Sequence, residues 1–111
     1  MVDIENVKRE IVERLRSMQP DKIILFGSYA YGHPNEESDI DLFLLKNGMD
    51  GSELRNYRTS LQKKLIALQK KYLIGIDLFV DNGERFEHRI NDINDLFYRE
   101  IMEKGTVIYA K

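Results

Sequence analysis

Apolar residues recur along the chain with two distinct periods, and the points where the period changes divide it into elements. Ile4, Val7, Ile11, Leu15 and Met18 follow at steps of three and four, which predicts an amphipathic helix with Asp3 as its cap and Pro20 just beyond its end. Lys22 to Phe26 and Asp39 to Leu45 are short apolar runs, the first stopped by Gly27 and the second opened by acids; both read as strands. Between them, Ser28 to Ser38 suits a helical turn followed by an exposed loop. After a loop over Lys46 to Gly51, the series Leu54, Tyr57, Leu61, Leu65, Leu68, Tyr72 marks a second long helix with Ser52 as its expected cap. Leu73 to Val80 predicts a third strand, interrupted at Gly75 and Asp77 and closed by a turn at Asp81, Asn82 and Gly83. Phe86, Ile90, Ile93, Phe97 and Ile101 form one stripe, which predicts a third helix ending at Gly105 ahead of a last strand, Thr106 to Tyr109. The alternation implies an α/β fold, a small sheet flanked by three main helices, in a single domain over residues 1–111.

Composition narrows the function classes. Apolar residues make up 42% of the chain, enough to fill a core by packing alone. The absence of Cys excludes a disulfide scaffold, a thiolate metal site and a Cys nucleophile together. A formal net charge of -2 argues against direct nucleic-acid binding as the main task, which draws on a strong excess of Lys and Arg. No apolar run suits a membrane span or a signal peptide, so the expectation is a cytoplasmic protein without membrane contact. Lys63, Lys64, Lys70 and Lys71 read as a solvated helix face.

The chemistry concentrates in Gly27 to Leu44. Side chains two apart share a face of a strand, so Asp39 and Asp41 project together while Ile40 and Leu42 point into the core. Two neighbouring carboxylates either take up a proton or recruit a cation, and an all-oxygen donor set suits Mg²⁺. Asp77 stands between Ile76 and Leu78 in a third apolar strand, where a charge needs a partner. If that strand lies beside the one opened by Asp39, the three acids converge and can hold two metal ions. Gly27 and Ser28 fall where the first strand turns into a helical segment, a place that favours phosphate through close backbone approach and free N–H groups. Metal and phosphate in one cleft point to a nucleoside triphosphate and in-line attack on phosphorus.

Other motifs fail on particular residues. Gly27 and Gly32 have P-loop spacing, but His33 and Pro34 stand where Lys and Ser or Thr are required. The D-x-D is not followed by the remaining ligands of an EF-hand, and His33 and His88 are too far apart in sequence for a ready zinc site. Glycosyltransferases that use D-x-D would leave Gly27-Ser28 unexplained. Tyr29 and Tyr31 suit either core packing or stacking on a base.

The ordered set Gly27-Ser28, ten residues, Asp39-x-Asp41, with Asp77 in a later strand, resembles the minimal nucleotidyltransferases of the DNA polymerase beta superfamily. The resemblance spans nearly the whole chain, and the closing Lys104-Gly105 and Val107-Ile108-Tyr109 share it. It implies a mixed sheet, nucleotide phosphates at Gly27 and Ser28, two Mg²⁺ ions at Asp39 and Asp41, and Asp77 as the residue that completes the metal site and prepares the acceptor hydroxyl. It further implies transfer of AMP from ATP to a hydroxyl, with an antitoxin role beside a HEPN-type toxin as protein partner. The rival reading is a binding module that neutralises such a partner by covering it, with an idle or sensing nucleotide site. Homo-oligomerisation stays open.

Overall fold

The computed structural model describes residues 2–111, and its elements follow the predicted order with two additions, a 3-10 turn after the first helix and a second helix where one was expected before the last strand. They are α1 (Ile4–Leu15), a 3-10 turn (Arg16–Met18), β1 (Lys22–Phe26), α2 (Ser28–Tyr31), β2 (Ile40–Leu45) and α3 (Gly51–Tyr72). β3 (Ile76–Asp81), α4 (Gly83–Asn91), α5 (Leu96–Lys104) and β4 (Thr106–Ala110) complete the chain. The strands form one sheet in the order β3-β2-β1-β4, with β1 antiparallel to both β2 and β4, and β2 parallel to β3. This is the α/β fold that the alternation of elements implied, with the mixed sheet that the family resemblance implied.

The central strands are apolar on both faces because both faces are covered. Ile23, Leu25, Ile40, Leu42 and Leu44 pack with Val7, Ile11 and Leu15 of α1 and with Leu61, Leu65 and Leu68 of α3. On the opposite face Ile24, Phe26 and Phe43 meet Phe86 and Ile90 of α4 and Ile101 of α5. Asp41 lies on this second face, since it stands directly across from Phe26 in the β1–β2 register.

Four expectations need correction. The stripe from Phe86 to Ile101 is not one helix: α4 ends at Asn91, Asn94 adopts a left-handed φ of 57°, and Asp95 caps α5 by accepting from the N–H groups of Phe97 and Tyr98. Ile93, placed on the stripe by its spacing, is 52% exposed in the resulting turn. The cap of α3 is Asp50, not Ser52; Asp50 accepts from Glu53 N–H and the Glu53 side chain answers to the backbone of Asp50, a reciprocal capping box. β3 begins at Ile76, because Leu73 terminates α3 in the left-handed conformation, φ 52°, with its side chain 91% exposed. Asp81 is the last residue of β3 rather than a turn residue. It is buried, accepts from Tyr98 Oη at 2.7 Å and from Asn82 N–H at 2.9 Å, and pairs with Arg85 at 3.2 Å.

Both edges of the sheet are single strands, and that of β3 is covered from α3. Gln69 accepts from the N–H of Ile76 at 3.0 Å, and Arg58 Nε donates to the carbonyl of Leu78 at 2.9 Å. Removing the α3 cap by Asp50→Ala should cost about 1 kcal/mol in urea unfolding, whereas Ser52→Ala should cost less than about 0.5 kcal/mol. Equal losses in the two variants would return the cap to Ser52.

Candidate active site

The parallel register of β2 and β3 sets Asp41 directly beside Asp77. Both side chains therefore project from the same face of the sheet, next to each other across the ladder. Asp39 precedes β2 on the same side of the pleat, and Ile40 and Leu42 between and after the acids are fully buried on the other, as the alternation required. Gly27 follows Phe26, the residue paired with Asp41, so the strand-end turn lies against the same carboxylate.

That contact decides what position 27 can be. Gly27 has a φ of +74°, and a Cβ built there would collide with Asp41 Oδ2 and lie 3.2 Å from its Cγ. The glycine thus makes room for the carboxylate, besides leaving the backbone open to a phosphate. Gly75 does the same for Asp39: a Cβ there would strike Oδ1 and come within 2.9 Å of Cγ. Sequence reading saw Gly75 only as an interruption of a strand. Ser28 opens α2, whose turn closes through Ala30 and Tyr31 N–H groups donating to Gly27 O at 3.0 and 3.1 Å. Gly32 then packs against the Ser28 Cα so closely that a Cβ would sit 2.8 Å from it.

The three acids meet differently from the expected cage. Asp41 and Asp77 form the close pair, Asp39 stands beside them over Gly75, and among the described residues no three acidic or histidine side chains gather as a ready metal cluster. Asp77 is also exposed on the edge strand rather than embedded in apolar surroundings, so water solvates it and no buried partner is required. Asp41 carries the electrostatic strain. Burial first, then the charges of Asp77 and Asp39 and a hydrogen bond shared with Asp77, push its carboxyl up to about 6. Phe26 across the ladder supplies apolar surroundings, and its ring stacks with Phe79 and Phe97 at centroid distances of 5.8 and 5.6 Å.

Among the described residues none of the ion pairs includes Asp39, Asp41 or Asp77. Hard oxygen donors and mutual repulsion without such a pair fit a divalent cation such as Mg²⁺. Tyr31 borders the group: its hydroxyl is raised in pKa by burial and by the charges of Glu100 and Asp41, while Lys104 Nζ lies 5.8 Å from its ring centre. Tyr29 instead packs against the core. His33 is exposed, as are Lys63, Lys64, Lys70 and Lys71.

Comparison with known proteins agrees with this geometry. The family described as "Nucleotidyltransferase domain" matches residues 8–107. A Methanocaldococcus jannaschii protein named "Putative protein adenylyltransferase MJ0604" is 37% identical over 108 residues, covering 95% of this chain and 97% of the relative. A second from the same organism, "Putative protein adenylyltransferase MJ0141", is 31% identical over 77 residues, covering 69% of this chain and 70% of its own. Among solved structures, a toxin-antitoxin crystal structure with AMP-PNP superposes with a TM-score of 0.59, and a mutant of the toxin-antitoxin MntA-HpeT with 0.61. Each is 20% identical, with 94% of this chain and 73% of that one covered, and each shows the same fold.

The raised Asp41 pKa has a sign that unfolding can read. Its folded value of about 6 lies above the ordinary 3.8, so its stabilising effect is complete below about pH 4 and is lost as pH rises through 6. A shift of this size corresponds to at most about 3 kcal/mol. Solvent at the half-buried carboxyl reduces that to about 1 kcal/mol. Asp41→Asn should therefore stabilise the metal-free chain by about that amount at pH 8 and by nothing at pH 4. An unchanged urea midpoint at pH 8 would contradict the repulsion.

Proposed function

This chain belongs to the nucleotidyltransferase domain family and is a nucleotidyltransferase, and within that activity we propose that it transfers AMP from ATP to a hydroxyl on a partner protein. The partner in this reading is a HEPN-type toxin, and the chain acts as its antitoxin. The observation that carries the reading is the β2–β3 register, which stands two carboxylates side by side against the Gly27 turn, neither of them ion-paired among the described residues.

The roles follow from place. Gly27 and Ser28 hold the nucleotide phosphates, the glycine through its bare backbone and the serine through its hydroxyl. Asp39, Asp41 and Asp77 would hold two Mg²⁺ ions, which when bound neutralise the crowded carboxylates and the charge that develops on the phosphate oxygens. Asp77, exposed on the outer strand, is the acid nearest an incoming acceptor and takes the proton of its hydroxyl. The acceptor oxygen then bonds to the α-phosphorus while the bond to the bridging oxygen breaks, and pyrophosphate leaves with the electron pair. The sheet face beside the acids carries no second domain among the described residues, so the acceptor arrives on another molecule.

Two relatives named as protein adenylyltransferases support a protein acceptor, and a fold neighbour crystallised with an ATP analogue supports ATP. The fold neighbours' toxin-antitoxin assemblies support the antitoxin role. The reading places the reaction in the cytoplasm, where ATP and Mg²⁺ are supplied; no described helix is long and apolar enough to cross a membrane.

Incubated with Mg²⁺, the partner recovered with it from its host and ATP labelled at the α-phosphorus, the native chain should label that partner. Label at the γ-phosphorus should not transfer. Asp41→Asn and Asp77→Asn should each lower the initial rate at least about 100-fold, the scale expected when electrostatic support at the reacting phosphorus is lost. Undiminished labelling by Asp41→Asn refutes the reading. Full neutralisation of the partner by a variant that leaves no label would assign the antitoxin role to complex formation instead.

A further inference from the structure

A second charged site lies at the far end of β3, four residues and so roughly 13 Å along the strand from Asp77. Arg55 and Arg58 of α3 and Arg85 of α4 line one open cavity of about 230 Å³, with Asp81 and Tyr98 in its wall. Three arginines and a single carboxylate line it, and that carboxylate is already engaged by Tyr98, Asn82 N–H and Arg85. The cavity therefore keeps two positive charges in excess, in a chain whose formal net charge is -2.

The donors are also held in place. Arg58 is anchored through Nε to the Leu78 carbonyl, and Arg85 through Nε to Asp81, so both leave their terminal N–H₂ groups free to turn toward the cavity. Among the described residues no acid pairs with Arg55 or Arg58. Standing three apart on one helix, these two cations repel each other, which destabilises α3 slightly unless an anion joins them. Planar forks on different elements suit acceptors with several oxygens in a tetrahedral array, and two excess charges match one dianionic phosphate or two neighbouring monoanionic ones.

We propose that Arg55, Arg58 and Arg85 form a phosphate-binding site, separate from the carboxylates, that takes the two negative charges of a free polyphosphate or of two adjacent phosphodiesters of a nucleic-acid strand. It stands independently of the transfer reaction.

Inorganic pyrophosphate titrated into the native chain at fixed ionic strength, in EDTA so that no divalent ion bridges anions to the acids, should shift the Arg55, Arg58 and Arg85 Nε resonances saturably. Arg55→Gln removes a side chain with no ion pair and should weaken binding at least fivefold without lowering the unfolding midpoint. Arg9→Gln, on α1 and paired with Glu13, should leave it unchanged. A single-stranded RNA oligonucleotide in the second arm separates the sources: binding at least tenfold tighter than pyrophosphate assigns the site to strand phosphates, and the reverse assigns it to free ones. Shifts that merely track ionic strength, or an affinity that Arg55→Gln leaves intact, would overturn the site.

Discussion

Repulsion between carboxylates set side by side is the constraint around which this fold is arranged. The β2–β3 ladder fixes Asp41 beside Asp77, and the stable sheet gives neither side chain freedom to retreat. Folding against such repulsion requires that the rest of the molecule supply the free energy, and it does so through a core that covers both faces of β1 and β2. The aromatic cluster of Phe26, Phe79 and Phe97 adjoins Asp41 through Phe26 and deepens the conflict there, since apolar surroundings disfavour the ionised form. Stability is given up locally for a site that attracts what can neutralise it.

Space at the site is as constrained as charge. Two glycines on different elements stand where any side chain would run into an acid, Gly27 against Asp41 and Gly75 against Asp39. The pair frames the acids on both flanks: one lies at the end of β1, the other at the entrance to β3. A residue type that seems to mark flexibility here marks occupied volume.

Much of this was legible in the sequence, for physical reasons. Helical spacing identified Leu54, Tyr57, Leu61, Leu65 and Leu68, all of which are buried, because a long amphipathic helix repeats its signal many times. The alternation of Asp39, Ile40, Asp41 and Leu42 exposed the faces of β2 for the same reason. The break between α4 and α5 was hidden because Phe86, Ile90, Ile93, Phe97 and Ile101 keep helical spacing across it, while the local capping by Asp95 overrides the period. The burial of Asp81 was invisible, since its partners Tyr98 and Arg85 lie on two later helices. The role of Gly75 depended on where Asp39 lands, a long-range contact that no local pattern encodes. The convergence of the acids was legible as strand adjacency, but not as the close pair with a third acid at its side.

The side chains of Arg58 and Gln69, which occupy the Leu78 carbonyl and the Ile76 N–H on the outer edge of β3, have a consequence for assembly. A visiting peptide cannot extend the sheet there without first dislodging both, so strand addition is blocked along the margin that carries Asp77. The route left to Asp77 is the pleated surface of the sheet, which is reached by side chains rather than by a paired backbone.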